Sequence, residues 1–243
     1  GGEWLQGDLE LYPLPYISAG GCGGGEPLYV CQSRSDVQSG KLDESRGVMK
    51  VFCTDFHLLT GQDPLERPLM ESLYLRGDHT LLNSGKRVLI TSWMRGLSYM
   101  PQLVVRVDRA GKGFEPRFAG RYYRDAAIGL ALVDRQLLDE RLRGGMDPAL
   151  AYSFDGSLAM AHFLPLEDLS GASLSILESD GAVLLDEPLE SLSLPSRERI
   201  DEVVSGVAQL YLLKTGDCLC FPLWSCYRAL ERGRHLFVAE GDQ

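Results

Sequence analysis

The sequence has no long apolar run, no cluster of basic residues and no paired-cysteine motif. No apolar stretch approaches the roughly 20 residues that a helix needs to cross a bilayer. The 243 residues carry a formal net charge of −10, and no run of Lys or Arg offsets this charge locally. Because a field of this sign repels phosphate backbones and anionic membranes, we expect neither a nucleic acid nor a membrane as a partner.

The six cysteines form no Cys-x-x-Cys pair of the kind that holds zinc or forms a redox disulfide. Cys218 and Cys220 are expected to share one face of a strand, because strand side chains repeat every second residue. This spacing could ligate a soft metal, but no second pair and no nearby His accompanies it. We therefore expect reduced thiols in the core of a cytoplasmic protein.

Residues 1–46 differ in composition from the rest of the chain, because they are rich in Gly, Ser and polar residues. The stretch GGEWLQGD at the start lacks the basic and apolar regions of a signal peptide, and we interpret it as a processed start. The Gly-rich stretch SAGGCGGGEP has no Lys and runs into a strand-like segment, which favours a turn over a phosphate-binding loop. We interpret residues 1–46 as a small N-terminal lobe of strands and loops, and residues 47–243 as the main domain.

Short apolar segments typical of β-strands dominate the main domain. Two such segments in SILESDGAVLLD flank a Ser-Asp-Gly turn, which predicts a hairpin. The other strand-like segments are GVMKVFCTDF, SLYLRG, RVLITSW, PQLVVRVD, AMAHFLPL and DCLCFPLW.

Two segments of the main domain have helical patterns. In the first, Leu137, Leu138 and Leu142 have helical spacing, and the pattern stops at Gly144. The second opens with Ser196, a residue type that commonly caps a helix. Mostly short strands with a few helices predict an α+β fold, with a mixed, mainly antiparallel sheet and peripheral helices.

Four segments resemble the fumarylacetoacetate hydrolase family, in the order in which the family has them, between residues 47 and about 223. KVFCTDF resembles the opening strand, and SLYLRGDHTLL resembles a Phe-Leu-Lys-Pro segment with Arg76 in place of the Lys. DPALAYSFDGSLAMAHFLPLEDL is similar to the Gly-Lys-Ser-Phe stretch, and YLLKTGDCLCF resembles a Leu-x-Pro-Gly-Asp turn. The resemblance implies a mixed β-roll core in a protein that commonly pairs as a homodimer.

The resemblance also implies a chemistry, in which a divalent metal on a Glu-x-Glu strand and a later Asp binds the oxygens of a 2-oxo acid or β-diketone. In SYMPQLVVRV the two Glu positions are occupied by Met100 and Gln102. A thioether is a poor ligand for Mg²⁺, which prefers oxygen. GLALVDRQ aligns Arg135 with the metal-binding Asp, and a slip of one residue would align Asp134 with it instead. We therefore interpret the fold as kept and the metal site as lost.

Three residues are candidates for catalysis. Asp55 and His57 in CTDFHLL would share a face on an extended strand and could act as an acid/base couple. The alternative is a loop Asp that caps a turn, followed by a half-buried His. Tyr152 stands where the family has a catalytic-type Lys, and it could donate a hydrogen bond to an enolate oxygen or pack against Phe154.

Four residues are candidates for binding the substrate, namely Arg76, Gln102, Asp134 and Arg135. Two inward-facing arginines would bind a carboxylate and replace the electrostatics of a metal. The alternative is that Arg76 and Arg135 form structural salt bridges. The remaining marked residues are expected to be structural or on the surface: His79 facing solvent, His162 and Trp93 in the core, and His235 at the surface.

Three hypotheses about function follow. The first is a metal-independent enzyme that acts on a small enolisable oxo acid or β-dicarbonyl compound, by C–C hydrolysis, dehydration, decarboxylation or cyclisation-type chemistry. The second is a non-catalytic binding protein that retains the pocket. The third is a metal-dependent hydrolase with a shifted Mg²⁺ site at Asp55, Gln102 and Asp134. We favour the first, without a cofactor, because the altered pocket positions carry polar residues.

Overall fold

The computed structural model describes residues 7–9, 31–32, 49–60, 69–83, 88–90, 93–169, 173–177, 183–188, 192–230 and 237–241. The predicted domain boundary at residue 46 and the residue His235 lie outside these ranges. No helix in the described ranges is both long enough and apolar enough to span a membrane.

The strands are β1 (Gly7–Leu9), β2 (Cys31–Gln32), β3 (Val51–Cys53), β4 (Tyr74–Arg76), β5 (Leu81–Asn83), β6 (Val88–Ile90), β7 (Leu97–Val107), β8 (Tyr123–Asp134), β9 (Leu158–Met160), β10 (Leu164–Pro165), β11 (Ser173–Leu177), β12 (Val183–Pro188), β13 (Cys218–Pro222), β14 (Arg228–Ala229) and β15 (Phe237–Gly241). The α-helices are α1 (Phe56–Leu59), α2 (Leu69–Ser72), α3 (Arg135–Arg143) and α4 (Arg197–Leu210). Short 3₁₀ turns span Asp78–Thr80, Pro116–Arg121, Pro148–Ala151 and Leu166–Leu169.

A large mixed sheet forms the centre of the described structure. Its strands follow the order β4-β3-β13-β7-β8-β9-β5, with β10 also paired to β8 and β14 to β7. The pairs β13–β3 and β5–β9 are parallel, and the other pairs in this sheet are antiparallel. This mainly antiparallel sheet with few helices confirms the predicted α+β class.

The central sheet is curled, so that its first strand faces its fifth. Arg76 on β4 donates a hydrogen bond to the carbonyl oxygen of Leu132 on β8. In a flat sheet these two strands would be separated by four strand spacings, or about 19 Å. A guanidinium cannot reach across such a gap in a flat sheet, so the sheet must bend until β4 approaches β8. The concave side of the sheet therefore encloses part of the protein interior.

Both faces of the sheet are buried, and successive residues of each strand point to opposite faces. On β3, Phe52 packs with the residues of α4, whereas Val51 and Cys53 pack on the concave side. On β13, Cys218 and Cys220 share the concave side, as their spacing predicted. The thiols of Cys53, Cys218 and Cys220 are free and buried, and Cys226 is free and exposed.

The predicted hairpin and both predicted helices are confirmed. Strands β11 and β12 pair antiparallel across the Ser-Asp-Gly segment, and they belong to a four-stranded sheet with β15 and β2. Helix α3 ends at Arg143, directly before Gly144. Helix α4 begins after Ser196, whose hydroxyl accepts a hydrogen bond from the backbone N–H of Arg199.

Of the two interpretations of Asp55 and His57, the structure has the one outside a strand: the chain leaves the strand at Cys53, Asp55 precedes the short helix α1, and His57 is half-buried. Two local predictions are wrong. His162 is exposed because β9 ends two residues before it. Trp93 is 42% exposed and packs edge-on against Phe154 at the surface, so it is not a core residue. His79 is exposed as predicted.

Asp217 fastens the turn before β13 to the start of β3. Its fully buried carboxylate accepts hydrogen bonds from the backbone N–H groups of Lys50 (2.9 Å) and Lys214 (2.8 Å), and it pairs with the Lys50 ammonium at 2.6 Å. We expect Asp217→Ala to lower the free energy of unfolding by about 2–4 kcal/mol, because it removes the acceptor of two partly buried backbone N–H groups and the partner of the Lys50 ammonium. Urea unfolding measures this loss. The exposed Asp155→Ala is the matched control and should change stability little. Equal stability of the two variants would contradict this role.

Candidate functional site

A group of polar side chains lies on the concave side of the curled sheet. We call Asp55, Tyr74, Arg76, Gln102 and Tyr227 the central polar cluster. They come from β4, from the turn after β3, from β7 and from the loop after β13. Asp55 and Gln102 are 0% exposed and Arg76 is 2% exposed. Buried polar groups at this depth are expected to have specific partners.

Asp55 is the centre of the cluster. One oxygen of its carboxylate, Oδ2, accepts hydrogen bonds from the side-chain amide of Gln102 (2.9 Å) and from the hydroxyl of Tyr227 (2.8 Å). The side chain does not cap α1, although Asp55 occupies the capping position. Its other oxygen, Oδ1, is buried and has no hydrogen-bond partner among the described residues.

Gln102 presents a second oxygen of this kind. It lies on β7 opposite Pro222 of β13, and its Nε2 donates to Asp55. This donation fixes the orientation of the amide, because the reverse orientation would place two acceptors against each other. The Oε1 atom is buried and has no partner within the described residues. Asp55 and Gln102, which are joined by a hydrogen bond, thus each have one buried acceptor oxygen without a donor in the described ranges.

Arg76 uses one end of its guanidinium for the protein framework. Its Nη1 donates to the carbonyl oxygens of Leu132 (3.2 Å), Tyr152 and Ser157 (3.1 Å). Its Nη2 donates to the hydroxyl of Tyr74 (3.3 Å). The buried Nε has no acceptor in the described part of the chain. The edge of the guanidinium that carries Nε and Nη2 is therefore the edge on which a ligand carboxylate could bind.

The charges of Asp55 and Arg76 act on the same neighbouring side chains. Burial raises the pKa of Tyr227, and the adjacent Asp55 carboxylate raises it further. Burial also raises the pKa of Tyr74, although the Arg76 guanidinium opposes this effect. Both phenols therefore keep their protons at neutral pH; Tyr227 donates its proton to Asp55, and the hydroxyl oxygen of Tyr74 accepts from Arg76.

Tyr152 adjoins the central polar cluster through its ring and its backbone. The ring packs edge-on against Tyr74 with centroids 4.8 Å apart, and the carbonyl oxygen accepts from Arg76. Burial raises the pKa of Tyr152. His57 lies outside the cluster, where its Nδ1 is 3.1 Å from the hydroxyl of Ser72.

Asp134 and Arg135 are not brought into the cluster. The carboxylate of Asp134 accepts from the backbone N–H groups of Arg95, Gly96 and Leu137, and it thereby caps α3. Arg135 donates to the carbonyl oxygen of Leu58 at 3.0 Å. Asp134 also borders a surface groove of about 250 Å³, whose other walls are Trp93, Arg95, Gln136, Leu137, Glu140 and Leu150. All of this lies at the far end of β8.

Two members of the cluster, Tyr74 and Tyr227, were not predicted from the sequence. Tyr74 could have been found, because it lies two residues before Arg76 and shares its face of the strand. Tyr227 lies in an irregular segment, and its contact with Asp55 joins residues 172 positions apart. No local pattern signals such a contact.

Solved structures share this fold. Fumarylpyruvate hydrolase from Pseudomonas aeruginosa, solved with Mn²⁺ and pyruvate, superposes with a TM-score of 0.64 and 18% sequence identity, over 90% of this chain and 93% of that chain. The 5-carboxymethyl-2-hydroxymuconate delta-isomerase from Mycobacterium smegmatis superposes with a TM-score of 0.61 and 15% identity, over 79% of this chain and 72% of that one. No family model matches the sequence, and no curated protein matches it. The predicted resemblance is therefore confirmed for the fold.

The residues of the central polar cluster do not fit the divalent metal that the resemblance implies. The cluster offers the oxygens of Asp55 and Gln102, whereas Met100 is packed in the core. In the described ranges, no three His, Cys, Asp or Glu side chains lie close enough together to hold a metal ion. Asp55 is the single carboxylate of the cluster and the Arg76 guanidinium is buried in it as well, so the two positive charges of a bound metal would not be neutralised there.

Replacement of Arg76 tests its role in the framework. We expect Arg76→Lys to lower the free energy of unfolding by about 3–5 kcal/mol, because an ammonium cannot reach the same acceptors in the same geometry. Chemical denaturation monitored by circular dichroism measures the loss. Arg124→Lys, at an exposed position on β8, is the matched control and should be nearly neutral. If Arg76→Lys is as stable as the control, the carbonyl contacts do not hold the sheet closed.

Proposed function

We propose that this protein is an enzyme that acts on a small enolisable oxo acid or β-dicarbonyl compound within the curled sheet, without a divalent metal. The observation that carries the proposal is the buried Gln102–Asp55–Tyr227 hydrogen-bonded group, which shares the concave side of the sheet with the buried Arg76. Related folds support the substrate class, since one relative was solved with pyruvate and another is a hydroxymuconate isomerase.

Asp55 is proposed as the group that accepts the proton of the substrate. Gln102 and Tyr227 hold Oδ2, which fixes the carboxylate and leaves the lone pairs of Oδ1 available. Oδ1 could accept a proton from the carbon beside a carbonyl or from an enol hydroxyl. The electron pair then moves to the carbonyl oxygen of the substrate, where the Nε–H of Arg76 stabilises the developing negative charge.

The other predicted site residues receive lesser roles in this proposal. Tyr152 packs against Tyr74 and supports Arg76, and His57 is a neighbour of α2. Asp134 and Arg135 shape the end of β8. The homodimer and the cytoplasmic location expected from the sequence remain predictions.

A second candidate function is a binding protein without catalysis. The complete burial of Asp55 and the use of Arg76 Nη1 for backbone carbonyls favour it, because both observations suit a structural core. Such a protein would bind the same ligands and leave their carbon-bound protons in place. The two candidates therefore differ in proton exchange and not in binding.

Proton exchange tests the proposed enzyme. In D₂O, we expect the protein to accelerate deuterium incorporation beside the carbonyl of at least one member of a panel of 2-oxo acids and β-dicarbonyl acids, followed by NMR. Asp55→Asn should slow this exchange by about 10²–10⁴-fold, because the amide cannot accept the proton. The exposed Asp155→Asn is the control and should exchange like the unmodified protein. Binding without exchange would favour the binding protein, and an unaffected Asp55→Asn variant would remove Asp55 from the mechanism.

Metal dependence is tested by thermal unfolding. We expect the melting temperature to be the same in EDTA and in sub-millimolar Mn²⁺, since a specifically bound ion would stabilise by RT ln(1 + [L]/Kd). Gln102→Glu places a second carboxylate beside Asp55 and should make the melting temperature rise with Mn²⁺. The exposed Gln209→Glu is the control and should show no such rise, because the side chain of Gln209 contacts a backbone carbonyl oxygen and not a carboxylate. A clear Mn²⁺ stabilisation of the unmodified protein would contradict the metal-independent proposal.

A further inference from the structure

Two buried thiols lie next to each other on neighbouring strands of the central sheet. Cys53 ends β3, Cys220 lies in β13, and the two residues are direct partners in the parallel β3–β13 pair. Both side chains point to the concave side of the sheet. Both thiols are free, and the two residues are 1% and 0% exposed. Register and face thus place the two sulfur atoms side by side.

The spacing of the strands suits a disulfide between this pair and no bridge from Cys53 to the third thiol on the same side. Neighbouring strands lie about 4.8 Å apart, which is within the Cα···Cα distances of roughly 4.4–6.8 Å that disulfides span. The third thiol, that of Cys218, is opposite Val51 in the same register. Because Cys218 lies about 6.6 Å farther along the strand, its Cα is about 8 Å from that of Cys53, which is too far for a bridge.

The two thiols also differ in reactivity. Burial acts to raise the pKa of Cys53, but a hydrogen bond from the Cys220 thiol and the charge of the Arg76 guanidinium outweigh it and lower this pKa. The same hydrogen bond, together with burial, raises the pKa of Cys220. Cys53 therefore has more thiolate character than its neighbour, and it is the thiol that an oxidant meets first.

We propose that Cys53 and Cys220 are a modification site, at which a small hydroperoxide converts the two thiols into a reversible disulfide. The Cys53 thiolate attacks one oxygen of hydrogen peroxide, the O–O bond breaks, and Cys53 sulfenic acid and a hydroxide ion form. The Cys220 sulfur then attacks the sulfenic sulfur, the S–O bond breaks, and the hydroxyl group leaves as water with the Cys220 proton. Together the two thiols lose two electrons and two protons, which reduce the peroxide to two molecules of water.

The bridge is expected to be easily reduced again. Directly opposite residues keep their Cβ atoms about one strand spacing apart, or about 4.8 Å, whereas a relaxed disulfide holds them at roughly 3.5–4.5 Å. Closing the bridge therefore pulls β3 towards β13, and strain of this kind makes a disulfide more reducible. Since β3 ends two residues before Asp55, the bridge forms on the strand that leads into the central polar cluster.

Peptide mapping of the oxidised protein tests the proposal. The folded full chain is treated with hydrogen peroxide, the remaining thiols are alkylated in denaturant, and the digest is examined by mass spectrometry. We expect a linked peptide pair that joins Cys53 to Cys220 and disappears on treatment with dithiothreitol. It should form more slowly than the exposed Cys226 is oxidised, because both of its thiols are buried. Protein oxidised in urea is the control and should lose the preference for this pair, since unfolding removes the register.

Three results of this mapping would overturn the proposal. The first is that Cys53 and Cys220 are both still alkylated when Cys226 is fully oxidised, because the pair then does not react in the folded protein. The second is a bridge from Cys220 to Cys218, and the third is oxidation of Cys53 to sulfinic acid without any bridge.

Serine variants assign the bridge independently. Cys53→Ser and Cys220→Ser should each abolish the linked pair. Cys218→Ser and Cys226→Ser are the matched controls, one buried and one exposed, and should form the pair to the same extent as the unmodified protein. Loss of the pair in a Cys218→Ser variant whose circular dichroism shows it to be folded would contradict the assignment.

Discussion

The structure depends on one buried guanidinium. Arg76 leaves β4, crosses the concave side of the sheet and donates to backbone carbonyls of β8 and of the segment that leads into β9. These contacts hold together strands that a flat sheet would keep far apart, and they define the interior in which the cluster lies. A charge at 2% exposure is tolerated only with this number of acceptors. The Nε atom of the same residue has no acceptor among the described residues, so the contacts that close the sheet also position the donor that is proposed to face a substrate.

The central polar cluster contains one carboxylate, that of Asp55, and one guanidinium, that of Arg76. The resemblance implies that carboxylates on the corresponding strand meet a divalent cation, whereas this chain has Met100 in the core and Gln102 bonded to Asp55. The cluster contains one buried carboxylate, one buried guanidinium and two phenols that keep their protons. With a single carboxylate, this set of residues supports the proposal of an enzyme without a divalent metal.

The sequence was informative wherever side-chain spacing was regular. Alternation predicted the strands and the shared face of Cys218 and Cys220, and helical spacing predicted α3 and α4. Prediction from spacing failed where the chain leaves a strand within one or two residues, and where a contact joins residues far apart in the sequence. The four-residue helix α1 is too short to produce a periodic pattern, so the sequence left open whether Asp55 lies on a strand or in a loop. The contact of Tyr227 with Asp55 depends on the register of β13 against β3, which no local pattern specifies.

The register of β7 and β8 also explains why the candidate site is smaller than the sequence suggested. Gln102 faces Gly129, and Asp134 faces Leu97, five residues farther along β8. Five residues of strand span about 17 Å, so Asp134 and Gln102 cannot contact one small ligand. The carboxylate of Asp134 has a local structural role, because the backbone N–H groups at the start of α3 need an acceptor. Asp134 therefore serves the fold at the end of β8, and the candidate site is limited to the central polar cluster.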